Sequence, residues 1–112
     1  MAECLFCRVV RGEVPAKIVV QNDRMLAFRD IKPQAPTHLL VIPTSHIASL
    51  NDADDPKLLG ELLLFARDVA KQEGLADRGY RVVINTNSDG GQTVFHVHVH
   101  VLGGRALTWP PG

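Results

Sequence analysis

His96, His98 and His100 alternate with Val97, Val99 and Val101 in an unbroken run that closes at Leu102, just before Gly103-Gly104. Alternation of period two belongs to an extended strand with two unlike faces. The valine face suits burial in a sheet, which leaves three imidazoles in a row on the other, neighbours roughly 7 Å apart. Three of the chain's five histidines share that face. Two chemistries use such a row. Three imidazoles can hold a catalytic zinc ion, but such centres also carry a nearby carboxylate, and the run contains none. Alternatively, a neutral imidazole attacks phosphorus and later leaves it, while flanking imidazoles and amides stabilise charge on the phosphoryl oxygens. The upstream loop from Asn87 to Thr93 favours the second chemistry. Gly90 and Gly91 permit positive φ, free backbone N–H groups there can form an anion-binding concavity, and Asn85 and Thr93 flank the loop with an amide and a hydroxyl.

Five further positions carry chemistry-bearing side chains. Asp30 follows directly on a predicted strand, where a carboxylate can cap a turn or accept hydrogen bonds from the vicinal hydroxyls of a sugar. His38 stands at the start of an apolar run, and His46 comes just after the proline that closes it. Cys4 and Cys7 are three apart on a short helical turn. They are either two small buried residues or half of a structural zinc site whose other ligands come from elsewhere.

The elements that must position these groups follow from periodicity. Leu5, Phe6, Val9 and Val10 mark a short amphipathic helix over Leu5 to Arg11, ended by Gly12. Ile18-Val19-Val20 and Met25-Leu26-Ala27-Phe28 read as two strands joined by a hairpin loop from Gln21 to Arg24. The turn Pro33-Gln34-Ala35-Pro36 launches His38-Leu39-Leu40-Val41-Ile42, whose continuous apolarity predicts a central strand covered on both faces. Asp55-Pro56 is a helix start, and Leu58, Leu62, Phe65, Ala66 and Val69 form the buried stripe of a helix that Gly74 ends. Leu59, Leu63 and Leu64 widen that stripe, so a second copy of the chain is the expected cover. Tyr80 to Asn85 is a fourth strand, and the histidine run, His96 to Leu102, a fifth. The tail from Leu107 to Gly112, with the only tryptophan, Trp109, is expected to be irregular. Strands before and after one long helix, with short connections, predict an α+β domain with a mostly antiparallel sheet.

Whole-chain properties agree. A length of 112 residues suits one domain over 1–112 with a single core. Twelve basic and twelve acidic residues cancel, and no basic run offers a phosphate-backbone track, so nucleic acid is not an expected partner. No apolar run reaches membrane length. Met1-Ala2-Glu3-Cys4 lacks the charged and apolar regions of a signal peptide, so a cytoplasmic protein with reduced cysteines is expected.

The run from His96 to Leu102 resembles the signature of the histidine triad superfamily. Asp30-Ile31, the stretch Pro33 to His38, Gly90-Gly91-Gln92, Gly103-Gly104-Arg105 and the ending Trp109-Pro110-Pro111-Gly112 resemble its nucleotide-binding branch. The resemblance runs from about Phe6 to the last residue. It implies two five-stranded antiparallel sheets, each with one long and one short helix, joined in a homodimer as ten continuous strands. It implies a purine nucleoside phosphoramidase that hydrolyses adenosine 5′-phosphoramidates and aminoacyl adenylates to AMP, with no cofactor required for catalysis. His98 then matches the nucleophile; His100 and the backbone of Gly91, Gln92 and Thr93 match phosphate contacts. Asp30 matches the ribose-binding carboxylate, Ile31 the residue beside the nucleoside and Asn85 a polar residue near the phosphate. His38 and His96 match imidazoles that orient the central histidine. Thr93 stands where the branch commonly has serine. Cys4, Cys7, His46 and His96 resemble the zinc set of a related bacterial branch, which implies a structural metal. A dinucleoside polyphosphate hydrolase, or a nucleotide-binding interaction module with incidental catalysis, are the alternative functions.

Overall fold

The computed structural model describes residues 4–112; Met1 to Glu3, part of the stretch read for a signal peptide, lie outside the described residues. In chain order the elements are α1 (Leu5–Val10), β1 (Ile18–Gln21), β2 (Met25–Arg29), β3 (Thr37–Pro43), α2 (Pro56–Gln72), β4 (Tyr80–Val83), α3 (Asn87–Gly90) and β5 (Val99–Gly103), with a 3-10 turn at Leu50–Asp52. The five strands form one sheet in the order β1-β2-β3-β5-β4, and every pairing is antiparallel. The predicted α+β class and five-stranded antiparallel sheet are what the chain forms.

Sheet alternation sorts the core into two layers. Met25, Ala27, Leu39, Val41, Val99 and Val101 pack with Leu58, Leu62, Ala66, Val69 and Ala70 of α2. Leu26, Phe28, Leu40 and Ile42 face the other way and meet Phe6 and Val9 of α1. β3 is therefore buried on both faces, as its unbroken apolar run requires. α2 begins where Asp55 accepts a hydrogen bond from the Lys57 amide at 2.9 Å, with Pro56 in the first turn. α1 has only six residues, so it covers the second face incompletely and leaves a cleft beside it.

Besides β4, which ends at Val83 rather than Asn85, two features differ from the sequence reading. β5 begins at Val99, not His96. The register pairs Val41 with Val99, which would set Val97 opposite Pro43, a residue with no N–H to continue the ladder. The ladder stops there. The Val97 amide instead donates to the Ile47 carbonyl at 2.6 Å, and the His96 ring bonds the Pro43 carbonyl at 2.8 Å. The second difference is α3, one helical turn where a loop is predicted. Its cause is non-local. The buried Gln92 side chain accepts from the Asn87 amide at 3.0 Å and donates to the carbonyls of Ala48 (2.8 Å) and Val94 (3.1 Å). Gly91, at φ 83°, supplies the left-handed cap. Among the described residues, no helix is long and apolar enough to cross a membrane.

Candidate active site

His98 and His100 open onto a cavity of about 390 Å³ between α1, β2, β3 and the loop after α3. Its apolar wall is Phe6, Val9, Phe28 and Leu40, and its polar end Asp30, Thr93, His98 and His100. Ile31 stands at the rim, 91% exposed. These four apolar wall residues are additions to the sequence reading, where helical spacing (Phe6, Val9) and continuous apolar runs (Phe28, Leu40) marked them only as parts of a helix and two strands.

The ring tautomers follow from the hydrogen-bond partners. His98 Nδ1 lies 2.7 Å from the His96 carbonyl oxygen. A carbonyl only accepts, so Nδ1 carries the proton and Nε2 keeps the lone pair. Phe6 packs edge-on against the ring at 5.2 Å between centroids and limits its rotation. The Gln34 amide donates to His38 Nδ1 at 3.0 Å, so His38 carries its proton on Nε2 and passes a hydrogen bond to His100 Nδ1, 2.9 Å away. His100 accepts at Nδ1 and therefore holds its own proton on Nε2. The site thus presents one bare imidazole nitrogen beside one imidazole N–H, with ring centroids 5.1 Å apart.

Burial keeps these rings neutral. It pushes His98 below the ordinary imidazole value, against the raising effects of its carbonyl bond and of Asp30. His100 goes down to about 4, through burial first and then the neighbouring His98 and His38. His38 is lowered by burial, against Asp30. Asp30 lies 3.4 Å from His38 Nε2 through Oδ2, while Oδ1 accepts from the Lys32 amide at 2.8 Å.

Two orienting roles differ from the sequence reading. The imidazole of His96 does not face His98; its backbone carbonyl does the orienting. His38 bonds His100 rather than the central ring. The first accompanies the ladder's end before His98, where the His96 ring turns to the Pro43 carbonyl; in the second, His38 and His100 stand on adjacent strands within the continuing ladder. The premise of free N–H groups in the glycine loop is also corrected. Gly91 N–H donates to the Ser88 carbonyl and Gln92 N–H to that of Asn87, each at 3.0 Å. Thr93 is the loop residue that lines the cavity. Asn85 lies behind the loop, its backbone just beneath Gly90.

A second cluster lies on the far side of His96. Cys4 Sγ is 3.4 Å from His96 Nδ1, and Cys7 Sγ is 3.6 Å from the same atom and 3.3 Å from His46 Nδ1. All four ligand atoms lie within 4.8 Å of one another. The donor set fits zinc. His96 Nε2 donates to Pro43, so Nδ1 has its lone pair free toward the sulfurs, and a tetrahedral zinc ion sets nitrogen and sulfur ligands about 3.5 Å apart. Asp30, His38 and His100 also converge within 4.8 Å, but that set does not fit a metal. The Gln34 amide occupies the Nδ1 lone pair of His38, so Nε2 bears a proton and has no electron pair to give.

The chain belongs to the HIT domain family, whose model matches residues 11–107. The purine nucleoside phosphoramidase of Escherichia coli (strain K12) is 50% identical over 107 residues, which are 94% of this chain and 90% of that protein. Among solved structures, a HIT family hydrolase from Legionella pneumophila Philadelphia 1 superposes with a TM-score of 0.95 at 56% identity, covering 98% of this chain and all 100% of the other. A Zn-bound histidine triad family protein from Mycobacterium smegmatis superposes with a TM-score of 0.82 at 33% identity, covering 91% and 75%.

Proposed function

We propose that this chain is a purine nucleoside phosphoramidase that cleaves adenosine 5′-phosphoramidates and aminoacyl adenylates to AMP through a nucleotide covalently held on His98. The observation that carries the reading is the pair of fixed tautomers. His98 Nε2 is bare and His100 Nε2 is protonated, side by side in a cleft with an apolar wall and a carboxylate.

The nucleobase lies against Phe6, Val9, Phe28 and Leu40, beside Ile31, and Asp30 accepts from the ribose hydroxyls. The phosphoryl group then reaches the two histidines. His98 Nε2 attacks phosphorus, a phosphorus–nitrogen bond forms to the ring, and the bond to the departing amine breaks. The His96 carbonyl holds the Nδ1 proton and stabilises the ring as it becomes positive. His100 Nε2–H donates to a phosphoryl oxygen as charge gathers there, with Thr93 on that oxygen's side of the site. Thr93 Oγ1 gives its proton to the departing amine and recovers one from the water that follows. That water attacks phosphorus, the bond to Nε2 breaks, and AMP leaves with His98 neutral again.

Cys4, Cys7, His46 and His96 would hold a structural zinc, which would tie α1 to the segment bearing His98. The exposed Leu63 and Leu64 of α2 and the edge strand β4 support a homodimer. The exposed Trp109 tail would then help shape the partner subunit's site. Balanced charge and thiol chemistry suit the cytoplasm.

Turnover of adenosine phosphoramidate, measured beside that of a diadenosine polyphosphate on one preparation, tests the reading. Faster cleavage of the phosphoramidate is expected. Preference for the polyphosphate would overturn it.

A further inference from the structure

The turn that sets the His38 tautomer has its own support. Gln34 gives its amide proton to His38 Nδ1, and the carbonyl of the same residue accepts from Arg105, at 2.9 Å from Nη2 and 3.3 Å from Nε. Arg105 Nη1 also donates to the Ala106 carbonyl at 3.0 Å. Arg8, Arg11, Arg24, Arg29 and Arg67 each pair with a carboxylate. Among the described residues Arg105, like Arg78 and Arg81, has no such pair, and its donors go to backbone carbonyls.

The end of β5 is pressed against the same turn. Gly104 lies at φ +93°, and a Cβ there would come within 2.9 Å of Pro36 Cβ. That approach brings the guanidinium to Gln34. The planar fork reaches the Gln34 and Ala106 carbonyls together, which a lysine ammonium cannot match geometrically.

We infer that Arg105 is a positioning residue: by anchoring the Gln34 carbonyl it holds the Gln34 backbone so that the amide on the other side of the same Cα locks His38 as the Nε2–H tautomer, and so keeps the Nε2 proton of His100 directed at the phosphoryl oxygen. Arg105 bonds the Gln34 carbonyl, the Gln34 amide on the other side of the same Cα bonds His38, and His38 bonds His100. Without the guanidinium the Gln34 backbone can shift at its Cα and carry the amide out of line with His38 Nδ1. His38 then gains access to its Nδ1–H form, which offers no donor to His100. His100 is free to hold its proton on Nδ1, where it faces away from the phosphate. The structural part of this inference stands on geometry alone; its catalytic consequence rests on the phosphoramidase reading.

The test is histidine 15N NMR on the full chain at neutral pH, paired with steady-state turnover of adenosine phosphoramidate. In the wild type, His38 should show an unprotonated Nδ1 and a protonated Nε2. In Arg105→Ala those signals should move toward an average of both tautomers, with kcat down about tenfold and KM nearly unchanged, as expected when orientation rather than binding is lost. Arg105→Gln, which can still donate once to the Gln34 carbonyl, should fall between, and serves if the alanine variant folds poorly. Arg81→Ala is the control. Arg81 donates to the tail carbonyls of Leu107 and Thr108 but not to Gln34, so its His38 signals should match the wild type. Wild-type His38 signals in a folded Arg105→Ala protein would overturn the inference. Altered signals with undiminished turnover would uphold the placement of Arg105 and contradict the donor role given to His100.

Discussion

A histidine nucleophile needs a neutral ring with one nitrogen bare, and both conditions have residue-level causes here. The His96 carbonyl fixes the His98 proton on Nδ1, and burial disfavours the second proton. The same burial holds His100 down to about 4, while an unfolded imidazole titrates near 6.5. Between those values the unfolded chain binds more protons than the native one. Stability from this group is therefore complete above about 6.5 and is lost as pH falls toward 4. Turnover should follow the rings, with the acidic limb of kcat/KM below pH 6.5. Rate profiles and thermal melts from pH 4 to 8 check this, and a limb at or above 6.5 would contradict it. The triad was plain in the sequence because strict alternation fixes which face each side chain takes. The tautomers were not, because they depend on Gln34 and on the His96 carbonyl, whose positions no local pattern encodes.

At the scale of elements, α1 and the segment that begins at His96 meet at the thiol and imidazole groups of Cys4, Cys7, His46 and His96. Protein purified without added zinc should carry about one equivalent per chain, as a closed four-ligand site implies. The double variant Cys4→Ser, Cys7→Ser should lose that metal and melt several degrees lower. Equal metal content in the two proteins would count against the site. Most elements were legible: the caps at Asp55 and Gly74, the apolar run of β3 and the stripe of α2 each depend on neighbours a few residues apart. The start of β5 and the turn α3 were not. The first depends on Pro43 across the sheet, the second on the Gln92 side chain reaching Ala48, and neither contact is local in sequence. The apolar wall of the cleft escaped for a similar reason: Phe6, Val9, Phe28 and Leu40 carry core spacing, and only the short span of α1 turns part of that core into a pocket.

On the whole molecule, α2 has more apolar surface than the sheet covers. Leu63 is 46% and Leu64 50% exposed, and among the described residues β4 is an edge strand of the sheet. Exposed leucines on α2 and an open edge strand suit a two-fold contact between copies that extends the sheet. Light scattering at micromolar concentration should give twice the chain mass, and Leu63→Lys combined with Leu64→Lys should shift it toward the monomer. A wild-type monomer would contradict the dimer.

The central claim is that His98 takes the nucleotide. The direct measurement is the intact mass of wild-type protein quenched, without acid, during turnover of adenosine phosphoramidate, followed by mapping of the modified peptide. An adduct of AMP mass on His98, absent in His98→Ala together with a loss of several orders of magnitude in turnover, is the expected result. An adduct on His96 or His100, or near-wild-type turnover by His98→Ala, would contradict it.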